Sequence, residues 1–174
     1  LLSIVLAFAM MMACPVACFA HEVPDIAQNP HVLFLSSYGY EWDSIPKQLS
    51  GITDTLNGNA KIDYVFMETK RLSYEDVKDN IYEDVLEREQ DESYDYVIAA
   101  DDAALQFVLE YRDELFSGIP VVFEGINSED FATQTSQDPL ITGIMEAFPL
   151  DETIELAKKI NPDATRVVAV TDDS

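Results

Sequence analysis

Tyr94-Asp95-Tyr96-Val97-Ile98-Ala99-Ala100-Asp101-Asp102-Ala103-Ala104-Leu105 holds a strand, a turn and the start of a helix. Tyr96 to Ala100 is a short unbroken apolar run, the pattern of a strand buried on both faces, and such strands belong mostly to parallel sheets covered by helices. The run stops on two carboxylates. Asp101 or Asp102 is a good N-cap for a helix whose apolar positions Leu105, Val108, Leu109 and Phe116 recur at helical spacing, and either side chain gains from the positive end of that helix. In open parallel sheets the ligand crevice lies beyond the carboxyl ends of the strands, so the pair stands where a binding site is expected. The plain alternative is that one Asp caps the helix and the other is solvated.

Working outward, the same unit recurs. His31 to Leu35 reads as a buried strand that ends in Ser36-Ser37-Tyr38-Gly39-Tyr40-Glu41-Trp42, a loop with aromatic rings and hydroxyls. Ile45, Leu49, Ile52 and Leu56 then follow at helical spacing, with Asp43 or Ser44 as cap, Pro46 in the first turn and Gly58 past the end. Ile62, Tyr64 and Phe66 alternate with Asp63, Val65 and Met67, which predicts a strand nearer a sheet edge. Ser73 with Asp76 resembles a capping box, and Val77, Ile81 and Val85 line one face of the next helix. A fourth strand over 119–123 runs into Glu124-Gly125-Ile126-Asn127, again polar groups where a strand stops, with Pro120 at its start. Residues 128–138 read as a loop with at most a helical turn. A fifth strand over 141–148, a helix from Leu150 or Asp151 to Ile160, and a sixth strand over 166–170 complete the pattern. That last strand runs into Asp172-Asp173 with no helix after it, as if the fold were cut there.

Strand and helix alternate throughout, so the fold class is α/β: a doubly wound parallel sheet with right-handed crossovers. The expected strand order is 2-1-3-4, with the switch point between the strands at 31–35 and 96–100. The loop at 36–42 and the pair at 101–102 then face each other across one crevice.

Composition narrows the function. Leu1 to Ala20 is apolar except for Ser3 and ends in Cys18-Phe19-Ala20, with small residues where a signal peptidase reads. It is expected to be a signal peptide or membrane anchor, which puts the rest of the chain outside the cytoplasmic membrane. No Met and no basic segment precede Leu1, so the start reads as truncated. Residues 21–30, with Pro24, Asn29 and Pro30, read as a linker. Both cysteines, Cys14 and Cys18, fall in the leader, and neither follows the Leu of a lipoprotein signal. The exported part therefore has no thiol for a disulfide, a zinc site or a nucleophile. His21 and His31 are the two histidines of the chain, too few for a His-based metal site or triad. No metal and no cofactor are expected.

Lys plus Arg number 10 against 33 Asp plus Glu, a formal charge of −23. Such a surface repels phosphate backbones, so nucleic acid is not an expected partner. With 48% hydrophobic residues the chain can still bury a core, and the acidity reads as a solvated exterior.

Acidic groups fall at three strand ends: Asp101 with Asp102, Glu124, and Asp172 with Asp173. Paired carboxylates can do acid and base work. No nucleophile elbow or Gly-rich phosphate loop accompanies them, and an enzyme is not expected. A phospho-accepting receiver domain would need an acidic pair after the first strand and a Lys after the fifth, where this chain has Ser36-Ser37 and Ala147-Phe148-Pro149. Tyr38, Tyr40 and Trp42 favour binding instead. Rings at the mouth of a crevice give flat apolar walls, and hydroxyls and carboxylates orient a polar ligand between them. The alternative is that Trp42 and Tyr40 pack over the next helix as a lid on the core. The candidate ligand-binding residues are Ser36, Ser37, Tyr38, Tyr40, Trp42, Asp101, Asp102, Glu124 and Asn127. Carboxylates at a helix start repel an anion and rings hold cations by their faces, so the expected ligand is a neutral or cationic small molecule.

Four stretches carry a resemblance: 31–38 with Trp42; Phe66-Met67-Glu68-Thr69-Lys70-Arg71; Asp101-Asp102-Ala103-Ala104-Leu105-Gln106-Phe107; and 111–127, Tyr111-Arg112-Asp113-Glu114-Leu115-Phe116-Ser117-Gly118-Ile119-Pro120-Val121-Val122-Phe123-Glu124-Gly125-Ile126-Asn127. Together they resemble the extracytoplasmic sensor domains related to ABC-transporter substrate-binding proteins, found at the front of bacterial histidine kinases and diguanylate cyclases. The resemblance spans about residues 31–174. It implies a periplasmic-binding-protein fold with two lobes closing on a ligand: a first lobe over 31–143 and the beginning of a second over 144–174. The implied function is small-molecule sensing as the input domain of a membrane-embedded signalling module. The alternative it leaves open is a solute-binding subunit serving an ABC permease.

Overall fold

In the computed structural model, residues 29–147 and 149–170 are described. The leader at 1–20, most of the linker and the Asp172-Asp173 pair lie outside them.

Five strands form one sheet, β1 (His31–Ser36), β2 (Lys61–Phe66), β3 (Tyr96–Ala100), β4 (Val121–Ile126) and β5 (Ile141–Met145), in the order β2-β1-β3-β4-β5. Every pairing is parallel. The helices are α1 (Ile45–Leu56), α2 (Tyr74–Asp91), α3 (Asp102–Glu110), α4 (Glu129–Thr135) and α5 (Leu150–Ile160). The chain is thus a doubly wound parallel α/β fold, with β2 at one edge as its alternating pattern predicts.

Side chains alternate across a strand, and the sheet uses both faces. Leu33 and Leu35 of β1, Val65 of β2, Val97 and Ala99 of β3, and Val121 and Phe123 of β4 join Val77 and Val85 of α2 and Leu105 and Val108 of α3 in the main core. The opposite face is thinner. Fully buried Phe34 packs there near the rings of Tyr64 and Phe66, while Val122 is 42% exposed and Ile144 72% exposed.

Local chemistry accounts for the element ends. The Ser73 hydroxyl accepts the Asp76 N–H at the start of α2. Asn57 closes α1 in the left-handed conformation, followed by Gly58 at φ 74°. Gly143 pairs with Phe123 across β4 and β5, where any Cβ would run into the Phe123 carbonyl and ring.

Several expectations are corrected. α3 stops at Glu110, so Phe116 belongs to the following loop, where it is nevertheless fully buried. β4 starts after Pro120 and runs on through Glu124 and Gly125 to Ile126, because the Ile119 N–H is spent in a turn on the Phe116 carbonyl, Pro120 has none, and Val121 is the first to donate across the sheet, to the Leu140 carbonyl. Residues 129–135, expected as loop, form α4, with the Ser128 hydroxyl accepting the Phe131 N–H and Ala132 and Thr135 turned into the core side. β5 ends at Met145 instead of reaching 148, and its last residues still pair with Glu124 and Ile126, so the sheet continues past residue 143. Residues 166–170 are not a strand: among the described residues no neighbour pairs with them, and Val167, Val168 and Val170 are 66%, 78% and 92% exposed.

Candidate functional site

The parallel order places the carboxyl ends of β1, β2, β3 and β4 side by side, and the loops leaving them surround a crevice of about 630 Å³. Tyr38 and Trp42 come from the loop after β1, Lys70 from the loop after β2 and Asp101 from the end of β3. Glu124 and Gly125 come from β4, Asn127 from just beyond it, and Glu146 from just beyond β5; Gln48 of α1 closes one side. A smaller hollow of about 210 Å³ adjoins it, bordered by Ser37, Thr69, Asp102 and Asn127.

The frame of this site is a hydrogen-bonded clasp between the ends of β1 and β3. Ser37 donates its backbone N–H and its hydroxyl to the Ala100 carbonyl, at 3.0 and 3.1 Å, and the hydroxyl oxygen accepts the Ala104 N–H at 2.9 Å. Ala104 lies in the first turn of α3, whose N–H has no partner within the helix, so Ser37 supplies a cap across 67 positions of sequence. The Ser37 carbonyl in turn accepts the Thr69 hydroxyl and N–H, which ties in the loop after β2. Ser36 is wholly buried and its hydroxyl accepts the Tyr38 N–H.

Asp101 is the centre of the arrangement. It caps α3 at φ 77°, ψ 169°, a backbone region that side chains other than glycine rarely occupy. Its N–H donates to the Glu124 carbonyl at 2.8 Å, and its Oδ1 accepts the Asp102 N–H at 3.1 Å and the Tyr38 hydroxyl at 3.0 Å. Gly125, at φ 71°, lies against the Asp101 carboxylate. Asp102 accepts the Asn127 amide at 3.2 Å through Oδ2, while its Oδ1 is buried without a hydrogen-bond partner, as is Oε1 of Glu124.

Electrostatics follow from this crowding. Burial, opposed by the Asp102 N–H and the Tyr38 hydroxyl, raises the Asp101 carboxyl above the usual carboxylate range. Burial and then the Asp101 charge raise Glu124 as well. Burial, with the Asp101 charge beside it, holds the Tyr38 phenol firmly protonated. Two carboxyls that resist ionisation, next to each other and facing a crevice, favour a cation or a hydrogen-bond donor.

The structure brings together Tyr38, Trp42, Asp101, Glu124 and Asn127 around the larger crevice and adds Asp102 through the smaller hollow. It does not present the two serine hydroxyls to a ligand: Ser36 is 0% and Ser37 1% exposed, and both are bonded into the frame. Tyr40 is turned away from the crevice, edge-on to Phe66 at 6.1 Å, and 58% exposed. Trp42 and Tyr40 are not a lid over the core, being 46% and 58% exposed; the Tyr38 and Trp42 rings lie 5.7 Å apart at a tilt of 50°. Lys70, Gln48 and Glu146 were missed in the sequence reading. The signal for Lys70 was the strand order itself, since the loop after β2 must open on the same edge as the loop after β1. Among the described residues no group of three or more His, Cys, Asp or Glu is placed to hold a metal ion.

No protein-family model and no curated protein matches the chain. Among solved structures it is similar to the solution structure of a response regulator protein from Burkholderia multivorans, with 13% identity and a TM-score of 0.37, over 79% of this chain and 99% of that one. A likeness of that size adds nothing to the reading of the site. Among the described residues no helix is long and apolar enough to cross a membrane.

Proposed function

We propose that this protein binds a neutral or cationic small molecule on the outer side of the cytoplasmic membrane, as the sensory input domain of a membrane-bound signalling protein. The observation that carries the binding role is the crevice at the carboxyl ends of the strands, which the Tyr38 and Trp42 rings line together with the Asp101 and Glu124 carboxyls. Rings supply the apolar walls, the carboxyls accept from an ammonium, amide or hydroxyl, and the Asn127 amide adds a neutral polar contact. The sensory role and the exported location rest on the resemblance of residues 31–174 and on the leader-like residues 1–20.

Calorimetric titration with a metabolite panel tests the binding role. A neutral or cationic compound should bind, and Asp101→Asn should weaken it about tenfold, the effect of losing one charged hydrogen bond. Tight binding of phosphate or a simple dicarboxylate, insensitive to that substitution, would overturn the proposal.

A further inference from the structure

The Lys70 ammonium lies 4.8 Å from the centroid of the Tyr38 ring and 5.4 Å from that of Trp42. The two rings are 5.7 Å apart and inclined at 50°, so one cation meets both. A ring face attracts a cation through its quadrupole, and two inclined faces make a seat for one. That seat borders the same crevice as Asp101, Glu124 and Glu146. An anion drawn to Lys70 would have to lie against these three carboxyls on a chain of formal charge −23. A cation meets the opposite: rings and carboxyls of matching sign, with a chain ammonium already on the rings.

We propose that Lys70 is a built-in occupant of the Tyr38–Trp42 cation seat, and that a ligand carrying an alkylammonium group binds by displacing it. The inference rests on the crevice being the ligand site and deepens that reading by naming the ligand's cationic class and the side chain it competes with. Lys70 suits the part. Its ammonium sits on a flexible four-carbon stem, so a competing cation can take its place on the rings without a movement of the backbone. It springs from the turn after β2, held at its base by Thr69 on the Ser37 carbonyl, so the stem can swing while the loop stays.

Trp42 is the single tryptophan of the 174-residue chain, so its fluorescence reports on the seat directly. Titration with tetramethylammonium chloride is compared in the wild type, Lys70→Met and Lys70→Arg. Lys70→Met keeps the apolar stem and removes the occupant, and should strengthen binding by about twofold or more, the order of a cation–ring contact. Lys70→Arg keeps a stacking cation and should bind no tighter than the wild type. The gain in Lys70→Met should persist at about 1 M NaCl, where the screening length is about 3 Å and a merely nearby charge no longer counts. Unchanged or weaker binding in Lys70→Met, or a gain that vanishes in salt, overturns the inference and leaves the crevice reading standing. Absence of any Trp42 response to tetramethylammonium in all three proteins also overturns it. The crevice reading falls with it only if the calorimetric panel finds no neutral or cationic ligand either.

Discussion

Asp101, Glu124 and Ser37 do different work within a few ångströms, and each can be tested alone. The carboxyls of Asp101 and Glu124 are both raised above their ordinary range, chiefly by burial. Below the unfolded-state value both states hold the proton and no penalty arises. As the pH rises through the folded value the native protein must carry a charge it resists, and stability is lost. Glu124→Gln should therefore melt higher than the wild type at about pH 7, by about 2–4 °C if the relief is near 1 kcal/mol. The difference should close as the pH is lowered towards about 4, where the unfolded carboxyl also holds its proton. Melting curves across that range check it, and a Glu124→Gln protein that is less stable at neutral pH contradicts the burial argument. Ser37→Ala leaves the Ala104 N–H without its partner and removes a bond to the Ala100 carbonyl. The expected loss is about 1–3 kcal/mol in urea unfolding, with no new cavity large enough to account for it otherwise.

At the scale of elements, the connection from α3 to β4 has no secondary structure of its own and depends on one side chain. Arg112 donates through one guanidinium nitrogen to the carbonyls of Phe116 and Ile119 and forms an ion pair with Asp138 at 3.4 Å. It thereby ties the loop that buries Leu115 and Phe116 to the segment entering β5. Arg112→Met keeps much of the bulk but takes the donor from the Ile119 carbonyl and the partner from Asp138, while the Phe116 carbonyl keeps the Ile119 N–H; it should cost about 1–3 kcal/mol, read as a fall in the urea midpoint at unchanged slope. β4 and β5 meet with a similar constraint at Gly143, where Gly143→Ala should be among the most destabilising single changes in the sheet.

Over the whole molecule, order is unevenly distributed. Helix α5 has no buried residue, and Leu150, Leu156 and Ile160 are 70%, 58% and 77% exposed. Helix α3, by contrast, buries Ala104, Leu105, Phe107 and Val108. Amide hydrogen exchange should therefore be fast throughout 150–170 and slow in β1, β3 and α3. Equal protection in the two regions would show that α5 packs against something in solution. The net charge of −23 acts on the molecule as a whole through self-repulsion. Raising the salt from about 0.01 to about 0.15 M, which shortens the screening length from about 30 to about 8 Å, should raise the melting temperature.

The sequence by itself determined the alternation of strands and helices, the parallel sheet and the order 2-1-3-4, because buried strands and capped amphipathic helices leave their marks within a dozen residues. It also determined that the loop at 36–42 would face the pair at 101–102, since that order brings the ends of β1 and β3 together; the hydrogen bond from Tyr38 to Asp101, across 63 positions, is where they meet. Tertiary structure alone decided which way each side chain turned. Ser36 and Ser37 offer evidently useful hydroxyls, yet both are buried: the Ser37 hydroxyl is taken by the Ala100 carbonyl and the Ala104 N–H, and the Ser36 oxygen by the Tyr38 N–H. Tyr40 is two residues from Tyr38 but finds the ring of Phe66 instead of the crevice. Lys70 and Glu146 reach the site because loops distant in sequence open on one edge of the sheet. Residues 129–135 lack a long apolar period and become a helix only through the Ser128 cap and the burial of Ala132 and Thr135. Residues 166–170 have the strand pattern and form no strand, because a β ladder is completed by a neighbour, and among the described residues none pairs with them.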